Sequence, residues 1–385
     1  MRTRTEAVVP TTGAKLHARH TTPFLLGRRP ALDGIRALAI IAVVGVHVST
    51  ILIPSLAGKW FVGGVAGVDV FFVLSGFLIT SLLLEEHDRS RSIGLRSFYW
   101  RRILRLWPAL YLLLIGNFIY SMVVHIPVGY TLRGDGLIAA YQSNWAWSLG
   151  WPVPFGLDNT WSLAVEEQFY LIWPIVLLLV LRWRDRLVPL VATGIMVASA
   201  LWRWHLYSTT QNWISSLAET SAHLDGLMLG ALIAWCLHRG YMPPRWAIRV
   251  ATLPALGALC WMIQTAGPQI GLYDGGIPLV DVCAAVLILA ALDSSTIVSK
   301  VLATRPARWL GHLSYSLYLW HPLVFSVAYL EWPSGSPWAR LLGALAVSLS
   351  LASIAYYLVE QPFLRLRNRS RVPAERSSRE VAANR

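Results

Sequence analysis

The chain has 385 residues, of which 55% are hydrophobic and only 14% are charged. Soluble domains carry about 25% charged residues, so this composition excludes an ordinary soluble protein. The net charge of +13 would also suit a nucleic-acid-binding protein. Because the basic residues lie between apolar runs, we attribute the charge to membrane topology and predict no nucleic-acid partner.

Apolar runs of about 20 residues predict transmembrane helices, because such a helix, at 1.5 Å per residue, crosses the ~30 Å hydrocarbon core of a bilayer. We therefore predict an all-α, polytopic bundle of about ten spans surrounded by membrane lipid. In chain order, the predicted spans are residues 31–53, 60–84, 106–126, 160–181, 187–207, 217–237, 246–266, 277–297, 311–331 and 338–359.

The basic residues predict the orientation of these spans. If both termini are cytoplasmic, 28 of the 33 Lys and Arg residues fall in segments on the cytoplasmic side. Cytoplasmic loops carry such an excess, so both termini are predicted to be cytoplasmic. Residues 1–30 and 364–385 are polar and charged, and are predicted to be disordered tails. Residues 31–363 then form one transmembrane domain.

The first span, LDGIRALAIIAVVGVHV, contains two ionisable residues. Arg36 and His47 are eleven residues apart, close to three helical turns, so they share one helix face at a separation of about 16 Å. Ionisable groups inside a bilayer are costly and mark functional sites. The alternative for His47 is a packing role, with the ring bonded to a neighbouring hydroxyl or carbonyl. This pair alone leaves both interpretations open.

A basic segment, YWRRILRLWP, leads into the third span. Arg102 and Arg105 are three residues apart, which places them on one helix face at the cytoplasmic interface. Guanidinium groups bind phosphate and other anions through two parallel hydrogen bonds. Ordinary anchoring of the helix by basic residues is the alternative interpretation.

Carboxylates open the fourth predicted span and close the tenth. Glu166 and Glu167 lie in NTWSLAVEEQFYLIWP, and Glu360 lies in YYLVEQPF. The other acidic residues and histidines singled out in the predicted spans are Asp69, Glu219, His223, Asp225 and His321. Asp69 is predicted to have a structural role, as a helix cap or the partner of a basic group. Together, these residues predict one polar cavity inside an apolar bundle.

Catalytic motifs of soluble enzymes are absent from the sequence. It contains no G-x-S-x-G, no Walker loop, no H-E-x-x-H and no G-x-G-x-x-G. No cluster has the spacing of a metal site, so no metal is predicted. Any chemistry must therefore use His, Arg and carboxylate side chains from separate helices.

Several of these segments resemble the acyltransferase-3 family of integral membrane O-acyltransferases. In family order, they are LDGIRALAIIAVVGVH, GVDVFFVLSGFLI, RRILRLWP, TWSLAVEEQFYLIWP and LSYSLYLWHP, followed by YLVEQPF. The resemblance covers roughly residues 30–365, and it implies a multi-pass protein of a bacterial plasma membrane.

The resemblance also implies roles for individual residues. The family's catalytic histidine falls on His47, and the family arginine that helps to hold the acyl donor falls on Arg36. The arginines implied to contact the donor phosphates fall on Arg102 and Arg105. The family carboxylates fall on two residues that are expected to be catalytic, Glu166 and Glu360. Which of the two would orient His47 is left open.

The implied reaction is the transfer of an acyl group, by default acetyl, from acyl-CoA to a hydroxyl. The acceptor would be a glycan, a lipid-linked sugar or a glycosylated metabolite. Our hypothesis is that neutral His47 removes the proton of that hydroxyl as a general base. The main alternative is a proton-coupled transporter of a small polar solute, although the inverted repeats typical of many transporters are not evident. A membrane scaffold without chemistry is a third possibility.

Overall fold

The structure, a computed structural model, describes residues 24–267 and 275–369. Within these ranges the regular structure is entirely helical. The α-helices are α1 (Pro30–His47), α2 (Ala66–Ser90), α3 (Leu95–Val123), α4 (Val128–Ala139), α5 (Ser143–Ser148), α6 (Thr160–Trp183), α7 (Val188–Thr210), α8 (Trp213–Ala218), α9 (Asp225–His238), α10 (Arg245–Thr265), α11 (Ile277–Leu292), α12 (Ile297–Leu302), α13 (Arg305–Glu331), α14 (Pro337–Ile354) and α15 (Gln361–Arg369).

Seven helical stretches in the described residues are long and apolar enough to cross a membrane. They are Pro30–Leu52, Ala66–Ser90, Leu95–Val123, Thr160–Trp183, Asp185–Thr210, Arg245–Thr265 and Pro337–Leu366. The apolar helices α9 and α11 are shorter, and α13 has 27 residues but does not meet the same criteria. Each of the ten predicted spans overlaps one of these ten helices. The all-helical fold is confirmed, whereas the span count and the side of the termini stay predictions.

The predicted tails lie mostly outside the described residues. Of the first tail, residues 24–29 are described, and α15 extends to Arg369, six residues beyond the predicted end of the membrane domain.

Close helix crossings at glycine determine the centre of the bundle. Gly76 of α2 lies against the backbone of Leu227 in α9, and Gly230 of α9 lies against the backbone of Val73 in α2. A Cβ atom at either glycine would overlap the opposite backbone. Small residues permit this approach between membrane helices, so the α2–α9 pair forms a tight central unit.

The helices α1, α3 and α13 run parallel to one another. Near the start of both helices, His312 of α13 contacts Asp33 of α1 at 3.3 Å. Further along both helices, His321 of α13 contacts His47 of α1 at 2.8 Å. Along α3 and α13, the Tyr315 hydroxyl donates a hydrogen bond to the carbonyl of Leu106. Further along α3, Tyr120 contacts Glu331. The N-terminal halves of the three helices therefore lie at one end of the bundle.

Two short π-helical segments border residues named from the sequence. The segment Val48–Leu52 follows His47 directly, and the segment Ala355–Glu360 ends at Glu360. A π-helical turn widens the helix and re-aims side chains, and such turns are frequent at functional sites. Two of the three residues predicted to be catalytic, His47 and Glu360, thus lie where the helix changes its winding.

Candidate active site

Five of the six residues predicted from the sequence to form the site line one cavity. This cavity of about 320 Å³ lies at the N-terminal ends of α1, α3 and α13. Its wall includes Arg36, Arg102, Arg105, Glu166 and Glu360. We call it the arginine cavity. Three helices and the π-helical segment before α15 thus bring three guanidiniums and two carboxylates together.

Arg102 is held in place by an aromatic ring. The guanidinium carbon lies 3.7 Å from the centroid of the Tyr170 ring, a cation–π contact. Its Nε atom is buried and has no hydrogen-bond partner in the described structure. A buried donor without a partner costs roughly 1–3 kcal/mol. An anion bound in the cavity would remove that cost.

Both carboxylates of the cavity are engaged by serines and arginines. Glu166 accepts a hydrogen bond from the Ser75 hydroxyl, and Glu360 accepts one from the Ser316 hydroxyl. The positive charge of Arg105 acts on both carboxylates. The partners of these carboxylates therefore lie at the arginine cavity, and neither is hydrogen-bonded to His47 in the described structure.

His47 contacts another histidine instead. Its Nδ1 lies 2.8 Å from Nε2 of His321, and Nδ1 of His321 lies 2.7 Å from the carbonyl oxygen of Leu317. A carbonyl oxygen can only accept, so Nδ1 of His321 must carry a hydrogen. His321 has no exposed surface, and a charged imidazolium is costly to bury. The ring is therefore neutral, and its Nε2 accepts.

These hydrogen bonds determine the tautomer of His47. Because Nε2 of His321 accepts, Nδ1 of His47 donates, and a neutral His47 then carries its lone pair on Nε2. The arrangement resembles a catalytic triad, in which the partner of a histidine decides which ring nitrogen is basic. His47 is half-buried, so part of its side chain is accessible to a substrate.

One layer of side chains separates the histidine pair from the arginine cavity. Tyr318 lines that cavity, and its ring centroid lies 6.1 Å from that of His321. The Tyr318 hydroxyl hydrogen-bonds Ser162, another wall residue. On another side, the negative charge of Asp158 acts on His47.

The structure corrects the prediction of one polar cavity. Asp69 and His223 form their own contact at 2.6 Å, and Arg203 binds Asp225 through two hydrogen bonds of 2.8 and 2.5 Å. These four residues are buried and do not line the arginine cavity. We call them the paired cluster. They form a separate group because their partners come from α2, α7, the start of α9 and the turn before α9.

Several site residues carry little signal in the sequence. His321 was noted only as an ionisable residue, and nothing in the sequence assigned it to His47. Nothing in the sequence indicates that Ser75 or Ser316 is the partner of a carboxylate. Tyr170 follows Glu166 by four residues, and this spacing places both on one helix face. That spacing was the one local clue to the contact of Tyr170 with Arg102.

Comparison with known proteins places the chain in a family. The sequence profile described as "Acyltransferase domain" matches residues 29–357. The chain belongs to this acyltransferase family. Family membership favours an enzyme over the transporter and the scaffold considered above. With seven apolar helices of sufficient length, this acyltransferase is a multi-pass membrane protein.

Two relatives illustrate the similarity. Peptidoglycan O-acetyltransferase OatA of Listeria monocytogenes is 34% identical over 365 residues, which are 89% of this chain and 57% of that protein. YrhL of Bacillus subtilis, provisionally named a peptidoglycan O-acetyltransferase, is 33% identical over 86% of this chain and 54% of its own length. The chain thus spans little more than half the length of these relatives. No solved structure gives a significant match.

Within residues 24–267 and 275–369, no group of three or more His, Cys, Asp or Glu side chains could hold a metal ion.

Proposed function

We propose that this acyltransferase moves an acetyl group from acetyl-CoA to a sugar hydroxyl of peptidoglycan or a related glycan. The observation that carries the proposal is the His47–His321 hydrogen bond of 2.8 Å, because it leaves the lone pair of neutral His47 on Nε2 at a half-buried position. The names of the two relatives supply the class of acceptor.

The arginine cavity would hold the donor. Acyl-CoA carries several phosphate groups, and guanidiniums match phosphate oxygens in charge and geometry. The buried, unpartnered Nε of Arg102 supports an anion site there. Arg36 and Arg105 line the same cavity and would complete the clamp. The acyl end of the donor would extend past Tyr318 towards the histidine pair.

His47 would perform the proton transfer. Its Nε2 accepts the proton of the acceptor hydroxyl while the hydroxyl oxygen bonds to the carbonyl carbon of the thioester. The carbon–sulfur bond then breaks, and the departing sulfur receives the proton from His47. Asp158 would stabilise the imidazolium that exists between these two proton transfers. No separate cofactor is required for the step to balance.

Glu166 and Glu360 would act at the donor end of the reaction. Each lies in the wall beside guanidiniums and accepts a serine hydroxyl. This geometry favours a role in which the two carboxylates hold the arginines in position. The serine–carboxylate pairs Ser75–Glu166 and Ser316–Glu360 thus connect α2 and α13 to the donor site.

A transfer assay tests the proposal. The purified protein, in detergent, would receive acetyl-CoA with a radiolabelled acetyl group and a soluble peptidoglycan disaccharide. We expect label on the disaccharide with the wild type and none above background with His47→Ala. A matched control is His238→Ala, which removes another buried histidine, bonded to Asp88 at 2.9 Å. Transfer at the wild-type rate by His47→Ala would overturn the proposal, as would a wild type that labels no acceptor.

A further inference from the structure

Two aromatic residues of the arginine cavity have no role in the clamp proposed above. His312 of α13 and Tyr356, in the π-helical segment before α15, both line the cavity. Their rings are parallel to within 4°, and the ring centroids are 6.3 Å apart. We call these two residues the ring pair. Because the planes are parallel, a flat molecule stacked on one ring is also parallel to the other.

Polar contacts at the edges of the rings hold the ring pair in place. Nε2 of His312 lies 3.3 Å from a carboxylate oxygen of Asp33, and Nε2 of Gln361 donates to the Tyr356 hydroxyl at 3.1 Å. Both contacts lie at ring edges, so they do not cover the ring faces. The His312 side chain keeps 36% of its surface exposed. The rings thus form a fixed platform that a ligand in the cavity can contact.

The ring pair lies beside the proposed phosphate clamp. Asp33 is in the first turn of α1, and its carboxylate contacts both His312 and Arg36, the latter at 3.7 Å. His312 precedes His321 by nine residues, which corresponds to about 13.5 Å along the axis of α13. The platform is therefore next to a clamp arginine and at the end of the cavity that is farther from the histidine pair.

The chemical groups of the proposed donor follow the same order. At one end of acyl-CoA lies an adenine base, which a ribose joins to the phosphates, and the thioester lies at the other end. Adenine is the one aromatic ring system of the molecule. Nucleic-acid bases stack on aromatic side chains, and this stacking contributes to affinity. A donor without a base, such as an acyl phosphate, would fill the clamp and leave the ring pair without a contact.

We propose that His312 and Tyr356 bind the adenine base of the acyl-CoA donor, which stacks parallel to their rings while its phosphates contact Arg36. This inference rests on the proposed acyl transfer and adds a base subsite to the donor site. The subsite makes the protein select a nucleotide donor over a donor that has the thioester arm alone.

A pair of donors tests the subsite. Acetyl-CoA has the base, whereas S-acetylphosphopantetheine keeps the thioester arm and one phosphate but lacks the nucleotide. Transfer to the peptidoglycan disaccharide would be measured with each donor. We expect Tyr356→Leu to lower kcat/KM for acetyl-CoA about five- to a hundredfold, the contribution of one stacked base. Its kcat/KM for S-acetylphosphopantetheine should equal that of the wild type.

Further variants separate the ring from its other contacts. His312→Leu should show the same split between the two donors as Tyr356→Leu. Tyr356→Phe keeps the ring and loses only the hydroxyl that accepts from Gln361, so it should retain most of the kcat/KM for acetyl-CoA.

The matched control is Tyr241→Leu. Tyr241 packs against Trp235 with a centroid distance of 6.0 Å, and neither residue lines the arginine cavity. This variant also removes a tyrosine from a pair of rings, but it should leave kcat/KM for both donors unchanged.

The outcomes separate this inference from the proposed function. Equal losses with both donors in Tyr356→Leu would mean that the ring pair only maintains the shape of the cavity, which overturns the subsite. A wild type that uses both donors with the same kcat/KM also overturns it. A wild type that transfers from neither donor overturns the proposed function itself.

A binding measurement tests the subsite without any transfer step. Radiolabelled CoA would be bound to the purified protein in detergent and displaced with ADP or with inorganic pyrophosphate, of which only ADP carries a base. We expect ADP to displace CoA from the wild type at a concentration about tenfold lower than pyrophosphate does. Tyr356→Leu should remove this advantage. Equal displacement of CoA from the wild type by the two compounds would show that phosphates alone bind, and would overturn the inference.

Discussion

Two buried polar regions of the bundle differ in how their charges are matched. In the paired cluster, Asp69 meets His223, and Arg203 binds both oxygens of Asp225. The arginine cavity instead collects three guanidiniums and two carboxylates, and leaves Nε of Arg102 without a partner. Protein groups pair the charges of the paired cluster, whereas one buried donor of the arginine cavity has no partner in the described structure.

This difference separates structural from functional polar residues in a membrane protein. A buried charge costs several kcal/mol unless it is paired, so the pairs of the first region are self-sufficient and hold α2, α7 and α9 together. Asp281 is an exception beside that cluster. It packs against Gly226, and its Oδ1 atom is buried without a hydrogen bond. In the arginine cavity, the buried Nε of Arg102 has no hydrogen-bond partner among the described residues, and the proposed phosphate-bearing donor would supply one.

The largest expected effect concerns His47, the proposed base. His47→Gln should lower kcat by about 10²- to 10⁴-fold, because a general base contributes that much to a proton transfer. The thermal midpoint of the purified protein should stay near that of the wild type. In contrast, His223→Gln should lower the thermal midpoint and keep kcat per folded molecule. A catalytic loss with His223→Gln equal to that of His47→Gln would remove the distinction between the two regions.

The second prediction concerns the stability of the paired cluster. Asp225→Ala leaves Arg203 buried without its partner and should lower the free energy of unfolding by about 3–5 kcal/mol. Replacing both residues, as Arg203→Met with Asp225→Leu, should recover much of that loss, because two apolar side chains pack without unpaired charge. Unfolding monitored in detergent measures both. Equal stability of Asp225→Ala and the wild type would contradict a structural role.

The third prediction concerns the tautomer of His47. His321→Leu removes the acceptor for Nδ1 of His47 and should lower kcat by about ten- to a hundredfold, since a wrongly placed proton blocks the base. Both KM values should be unaffected. His321→Gln offers an oxygen close to the position of Nε2 and should retain most of the activity. Nitrogen NMR of His47 should show the proton on Nδ1 in the wild type and in His321→Gln, and a mixture in His321→Leu. An identical spectrum in all three would disprove the assignment.

The smallest expected effect concerns the donor clamp. Arg102→Gln should raise KM for acetyl-CoA about tenfold, because hydrogen bonds to charged groups contribute roughly 1.5–3 kcal/mol, and should change kcat little. The matched control is Arg101→Gln, since Arg101 precedes Arg102 but pairs with Glu86 at 3.1 Å and does not line the cavity. A shift of KM for acetyl-CoA that is as large with Arg101→Gln would mean that the two arginines contribute only general positive charge.

Much of the site was predictable because its signals are local in the chain. Ionisable residues inside apolar runs stand out individually, and the resemblance to a family assigned them roles. Arg36, Arg102, Arg105, Glu166 and Glu360 were all identified in this way, and all five line one cavity. For the paired cluster, the sequence singled out Asp69, His223 and Asp225 but not their separation from the site, because these residues have the same signal as the site residues. Sequence cannot distinguish a matched charge from an unmatched one.

The sequence by itself indicated a helical membrane protein of the acyltransferase family and predicted which residues form its site. Hydropathy and motif spacing are properties of consecutive residues, so they need no contact between helices. Only the tertiary structure decided that His47 meets His321, 274 residues away, and that the polar residues divide into two regions. Those features depend on which helix faces pack together, and packing at Gly76, Gly230 and similar crossings is a property of surfaces rather than of residue order.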